Sequence, residues 1–146
     1  MTSTTRADEV IDRLVAVISA ATGVQTLDGP QMEVADEAIL VRSSPTGPGY
    51  TSTLTREPGF GRPRLREDWS VSVTVSVWRG SDAVPAARRR LVSLIGLVDD
   101  AVRDSHRVDG VWQDAAIEGD LAIDQAPYRD GQVLMGTFTV QGVSLL

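Results

Sequence analysis

Apolar residues recur at spacings of three and four from Val10 through Leu14, Val17 and Ile18 to Ala21, while Asp12 and Arg13 fall off that stripe. This is the period of a helix with one buried face. Thr5 followed by Asp8 resembles a capping arrangement, and Asp8 with Glu9 stands where the helix dipole favours negative charge. Gly23 is the expected stop. Two short strands should follow: residues 24–28, closed by a Gly29-Pro30 turn, and residues 37–42 with the apolar run Ile39, Leu40 and Val41. The pattern then disappears. Residues 43–65 hold Pro45, Pro48, Pro58 and Pro63 with Gly47, Gly49, Gly59 and Gly61 and have no apolar period. The expectation there is a long flexible loop, since structureless stretches of that length are usually functional or disordered.

The clearest strand comes next, because Trp69, Val71, Val73, Val75 and Val77 alternate with Ser70, Ser72, Thr74, Ser76 and Trp78. One face of this strand should be core. The other carries small hydroxyls rather than charges, which suits either a partner subunit or bulk water. After an Arg79-Gly80 turn, Ser81 or Asp82 is placed to cap a second helix with Pro85 in its first turn. Its stripe runs through Val84, Ala87, Leu91, Leu94, Ile95, Val98 and Val102 and should end near His106, giving about 24 residues and roughly 36 Å. Three strand-like segments close the chain: 110–118, 121–128 and, beyond a turn at Asp130-Gly131, 132–146. The order predicts an α+β fold, with two helices on one face of a mainly antiparallel sheet and a long irregular loop after the second strand. At 146 residues, one domain is expected.

Composition then narrows the chemistry. There is no Cys, no Lys and one His, which excludes thiol nucleophiles, cysteine-ligated metals, disulfides, Schiff bases and the lysine of a P-loop. No apolar run approaches the length of a membrane span, and the polar start lacks the layout of a signal peptide, so a soluble, intracellularly folded protein is expected. Ser105, His106 and Asp104 are neighbours on a helix and cannot face one another as a triad, and no nucleophile elbow accompanies them. His106 is better explained by capping a helix C-terminus. The acids Asp99, Asp100, Asp104, Asp109, Asp114, Glu118, Asp120 and Asp124 match no metal-loop spacing, and Asp99 with Arg103 makes a helix-surface ion pair. The triplet Arg88-Arg89-Arg90 spreads around its helix as surface solvation. No enzyme activity, metal or cofactor is expected.

Charge is uneven. Residues 1–41 carry two Arg against seven acids, residues 42–79 six Arg against three, and residues 80–146 six against ten, within a total of −6. The basic segment coincides with the irregular stretch, where Arg56, Arg62, Arg64 and Arg66 accompany Phe60 and Tyr50. Arginine and aromatics on a loop suit protein interfaces and single-stranded nucleic acid alike. The acidic remainder opposes nonspecific binding along a polyphosphate and favours head-to-tail docking of one copy on another. Arg56, Phe60, Arg62, Arg64 and Arg66 are therefore the candidate interface residues.

The N-terminal helix, the Asp28-Gly29-Pro30 turn, the long loop, the strand from Trp69 to Trp78 leading through Arg79-Gly80-Ser81-Asp82 into an Arg-bearing helix, and the closing strands with Gly131 resemble tail terminator and tail completion proteins of long-tailed bacteriophages. The resemblance spans most of the chain and carries no catalytic signature. It implies a small α+β virion protein that forms a ring, commonly hexameric, caps the polymerised tail tube and presents the joining surface for the head. Its partners would be further copies of itself, a tail tube protein and a head-completion or neck protein, with no membrane and at most indirect DNA contact. Competing readings are a neck protein that touches DNA, a metal-dependent hydrolase using the Asp cluster, and a cellular α+β binding module.

Overall fold

The computed structural model describes residues 4–31, 34–58, 64–80, 83–108 and 110–146. Its elements run α1 (Ala7–Thr22), β1 (Gln25–Asp28), β2 (Glu37–Val41), β3 (Tyr50–Glu57), β4 (Arg64–Gly80), α2 (Val84–Asp104), β5 (Asp114–Ile117), β6 (Ala122–Tyr128) and β7 (Gly131–Leu145). Among the described residues, seven strands make one sheet. Its spine is the antiparallel pair β4–β7, in register from Arg66 opposite Leu145 to Gly80 opposite Gly131. Shorter strands lie end to end along both flanks. On one side, β2 pairs with residues 73–77 of β4 and β3 with residues 64–71. On the other, β5 pairs with residues 140–143 of β7 and β6 with residues 131–137. Only β1, outside β2, pairs in parallel. The fold is α+β with a mainly antiparallel sheet, as the element order predicts.

Both helices cover the same face. Trp69, Val71, Val73, Val75 and Val77 are at most 1% exposed and join Leu134, Phe138 and Val140 of β7 and the apolar stripes of α1 and α2 in one core. Trp112 closes the end of that core: its ring centroid lies 5.6 Å from that of Trp69 and its indole N–H donates to the Ser105 carbonyl at 2.8 Å. Gly142, opposite Trp69, is required for this closure, because a Cβ there would sit 2.2 Å from the Trp69 ring and 2.6 Å from the Asp114 carbonyl oxygen. On α1 the buried set is Val10, Ile11, Leu14 and Ile18, with Ala21 exposed. The expected stripe misses Ile11 because α1 packs on α2 as well as on β1 and β2, which widens the buried sector.

Gly23 ends α1 as expected, at φ 69°, its N–H bonded to the Ser19 carbonyl at 2.9 Å. The other end departs from the local capping expected of Thr5 and Asp8. Thr5 Oγ1 accepts from the Ala7 N–H at 3.1 Å, but the Arg6 N–H donates to Glu67 Oε1 at 2.8 Å and the Thr5 hydroxyl to Glu67 Oε2 at 2.6 Å. A carboxylate distant in sequence thus supplies the negative charge at the positive end of the helix. No local pattern announces such a partner.

Three boundaries also differ from expectation. Residues 43–65 are not one irregular loop, since β3 occupies the middle of that stretch and β4 begins at Arg64 rather than Trp69. The Thr51-Ser52-Thr53-Leu54-Thr55 run has polar residues on both faces, so it shows no apolar alternation, yet its β-branched threonines favour extended backbone. Arg79-Gly80 is the end of β4 rather than a turn, paired with Gln132 and Gly131. The long helix has 21 residues and stops at Asp104, with Pro85 in its first turn; Ser81 and Asp82 lie outside the described residues.

Candidate functional site

The candidate interface residues sit on the β3–β4 arm, at one flank of the sheet. Residues 51–56 of β3 are exposed on both faces. Arg56, opposite Leu65 on the β3–β4 ladder, and Arg64, opposite Glu57, are exposed and make no ion pair among the described residues. Arg66 is different: its guanidinium reaches Asp68 at 2.9 Å and Glu57 at 3.2 Å, so its charge is matched within the chain. Phe60 and Arg62 lie outside the described residues. Tyr50 turns inward and donates to Glu67 Oε2 at 2.9 Å; burial, and then the Glu67 carboxylate, push its hydroxyl well above the usual tyrosine range.

The opposite flank is acidic. β5 and β6 follow one another along β7, for Ile117 stands opposite Val140, the Glu118 N–H bonds the Thr139 carbonyl at 3.1 Å, and Ala122 resumes opposite Thr137. Gly119, Asp120 and Leu121 bulge out between them, with Gly119 at φ 94°. Asp114, Glu118, Asp120 and Asp124 are all exposed along this edge. The sequence shows these acids as a scatter over eleven positions; the ladder aligns them. Among the described residues no three metal-ligating side chains converge.

Of the exposed large apolar side chains, Val92 lies on α2 and the others lie on these two flanks. Leu54 on β3 is 47% exposed, and Leu121 and Ile123 on the acidic edge are 52% and 46% exposed. Between the flanks, the sheet face away from the helices is uncharged along its middle. Ser70, Ser72, Thr74 and Ser76 of β4 lie there beside Met135, Thr137 and Thr139 of β7, and Thr74 and Ser76 are already buried at 6% and 7%.

Several other charged groups have partners within the chain. Glu37 accepts from Arg79 at 2.7 Å and from Arg90 through two bonds of 2.9 and 3.0 Å, tying β2, β4 and α2 together. The hydrogen bond from Arg90 leads in holding the Glu37 carboxyl below its usual value, against the opposing effect of burial. Arg90 is thus a clamp rather than surface solvation. Burial alone would raise Glu67, but the Arg6 N–H, Thr5, Tyr50 and Ser52 together hold it below the ordinary carboxylate value. His106 Nδ1 lies 3.3 Å from the Arg103 carbonyl at the end of α2, and Arg103 pairs with Asp99. These side chains line a groove of about 460 Å³ against β5, with Asp114 on its far wall.

No family model and no curated protein matches the chain. Among solved structures it is similar to a chain of one described as the virion of a native gene transfer agent particle, at 14% sequence identity and a TM-score of 0.48, covering 92% of each chain. A likeness at that level assigns no function. Among the described residues, no helix is long and apolar enough to cross a membrane.

Proposed function

We propose that the protein is a structural subunit of a phage-like virion, without enzymatic activity, which assembles head to tail into a ring of about six copies. The ring caps the tail tube and gives the head its joining surface, so its partners are the tube protein and a head-completion or neck protein. One observation carries this reading: one flank of the sheet exposes a row of acids, and the opposite flank exposes two arginines that form no ion pair among the described residues. A ring needs two unlike patches on each subunit, placed so that repetition closes. The arm bearing Arg56 and Arg64, one on each face of the sheet, supplies one of them, and the acids from Asp114 to Asp124 supply the other. The uncharged sheet face between them is a further surface free of the charge that would resist docking.

Light scattering and electron microscopy of the purified protein, alone and with tail tubes, test the proposal. Rings about as wide as a tube, seated on tube ends, are expected. A protein that stays monomeric at every concentration and never binds a tube end would overturn it.

A further inference from the structure

Resting on the reading of the protein as an assembly part, we infer that the outer edge of β5 is a strand-addition site for a partner protein, and that it takes an extended segment in which an arginine stands between two apolar residues. The Glu118 N–H bonds the Thr139 carbonyl at 3.1 Å and Ala116 stands opposite Gln141, so by the alternation of an antiparallel ladder both residues direct their backbone groups to β7. Ala115 and Ile117 therefore turn their N–H and C=O groups outward, on a strand that pairs only with β7 among the described residues. A second extended chain can satisfy such groups.

The edge lies between two hollows that ask for different side chains. On the helix side is the groove of about 460 Å³, with Asp99, Arg103 and His106 of α2 facing β5. Its charges are matched already, since Arg103 pairs with Asp99 and His106 Nδ1 lies 3.3 Å from the Arg103 carbonyl. Residues of the incoming segment that share this face with Ala115 and Ile117 are therefore apolar. On the other face Asp114, Ala116 and Glu118 line a second hollow of about 200 Å³ with Asp68. Arg66 neutralises Asp68, whereas Asp114 and Glu118 are exposed and form no ion pair among the described residues. A residue opposite Ala116 is a diagonal neighbour of both acids, and an arginine there has donors enough for two carboxylates. Arg56 of β3 does not fit this description. Its neighbours are Thr55 and Glu57, which would bring a carboxylate into the groove beside Asp99. The occupant is a segment of another protein.

The probe is a fluorescent peptide with blocked ends and the sequence Thr-Val-Arg-Val-Thr, titrated with the purified protein and followed by polarisation. Saturable binding is expected. The same peptide with glutamate in place of arginine should bind at least tenfold more weakly, and so should the arginine peptide methylated on both valine nitrogens, because those N–H groups face Ala115 and Ile117. On the protein, Asp114→Asn with Glu118→Gln should weaken the arginine peptide at least tenfold. Ile117→Pro removes an outward donor without touching the ladder to β7 and should abolish binding. Circular dichroism checks that both variants are folded; if Ile117→Pro unfolds, the methylated peptide makes the same test. No binding of the arginine peptide, or equal binding of the methylated or the glutamate peptide, would overturn the inference. An arginine peptide that fails to bind, together with self-association that Ile117→Pro abolishes in sedimentation, would overturn it in favour of a second copy on this edge. These outcomes leave the ring as a reading, which falls only if the protein stays monomeric and never binds a tube end.

Discussion

β4 is one strand with two unlike halves. From Trp69 to Val77 every second residue is buried under the helices, and the strand is flanked by β7 on one side and by β3 and then β2 on the other. From Arg64 to Asp68 the backbone is laddered to β3 throughout and to β7 from Arg66 onward, but every side chain except Leu65 is charged and its neighbour β3 is exposed on both faces. Similar hydrogen bonding with unequal burial separates two contributions. Backbone pairing shapes the arm, while burial of apolar surface holds the body together, since the net gain per hydrogen bond is small and removing apolar area from water stabilises more. Glu67 is the exception inside the charged half, being fully buried and committed to the start of α1.

Val73→Asp should break the comparison most violently. It would place an unpaired carboxylate at a site with no exposure, at the centre of the core, and should cost more than about 4 kcal/mol. Loss of the cooperative thermal transition is the expected readout; a folded variant would mean that the strand faces have been assigned the wrong way round. Gly142→Ala comes next, at about 2 kcal/mol, because its Cβ would collide with both the Trp69 ring and the rigid Asp114 carbonyl. Urea denaturation measures that loss. Substitution to Ala at Gly47, whose Cβ would meet nothing within 4 Å, should cost far less.

The same contrast explains what could be read from the sequence. The body was legible because period 3.6 and period 2 both report burial on one side, and α1, α2 and residues 69–77 of β4 are built on that condition. β3 was not, because a strand wet on both faces has no alternation to display; its only signal was the repeated threonine at 51, 53 and 55. The charged residues divided similarly. Composition located the basic segment, and the structure then separated Arg56 and Arg64, which face solvent, from Arg66, which Asp68 and Glu57 neutralise. The acidic edge depends on the β5–β6 register along β7, and Glu67 capping α1 depends on a contact between distant segments. Neither pairing leaves a local trace.

Glu67→Gln sharpens the comparison by removing charge from the one buried acid of the arm half. Four donors hold its pKa below the ordinary value of about 4.3. A lowered folded value means that the stabilisation is present above about pH 4.3 and fades as pH falls through the folded pKa. The variant should therefore be about 1.5 kcal/mol less stable at neutral pH, and the difference from the unaltered protein should shrink on acidification. Thermal melts across pH 7 to 3 follow this. Glu37, lowered in the same direction by Arg90, remains in both proteins and contributes the acid sensitivity that they share. A gap that stays constant across the range would show that Glu67 acts by shape alone.

The smallest expected effect is at the exposed arm. Arg56→Glu with Arg64→Glu changes exposed residues that form no ion pair among the described residues, although Arg64 stands opposite Glu57 on the ladder, so stability should fall by no more than about 1 kcal/mol and the melting temperature by about 4 °C. Extending the reversal to Arg66 should give a distinctly larger loss, because the new carboxylate would stand against Glu57 and Asp68 where a cation now joins them. The two melts together distinguish charge that is available to a partner from charge that the chain uses itself. Equal melting temperatures for the two variants would mean that Arg66 also belongs to the outward-facing set and that its internal ion pairs contribute nothing to the arm.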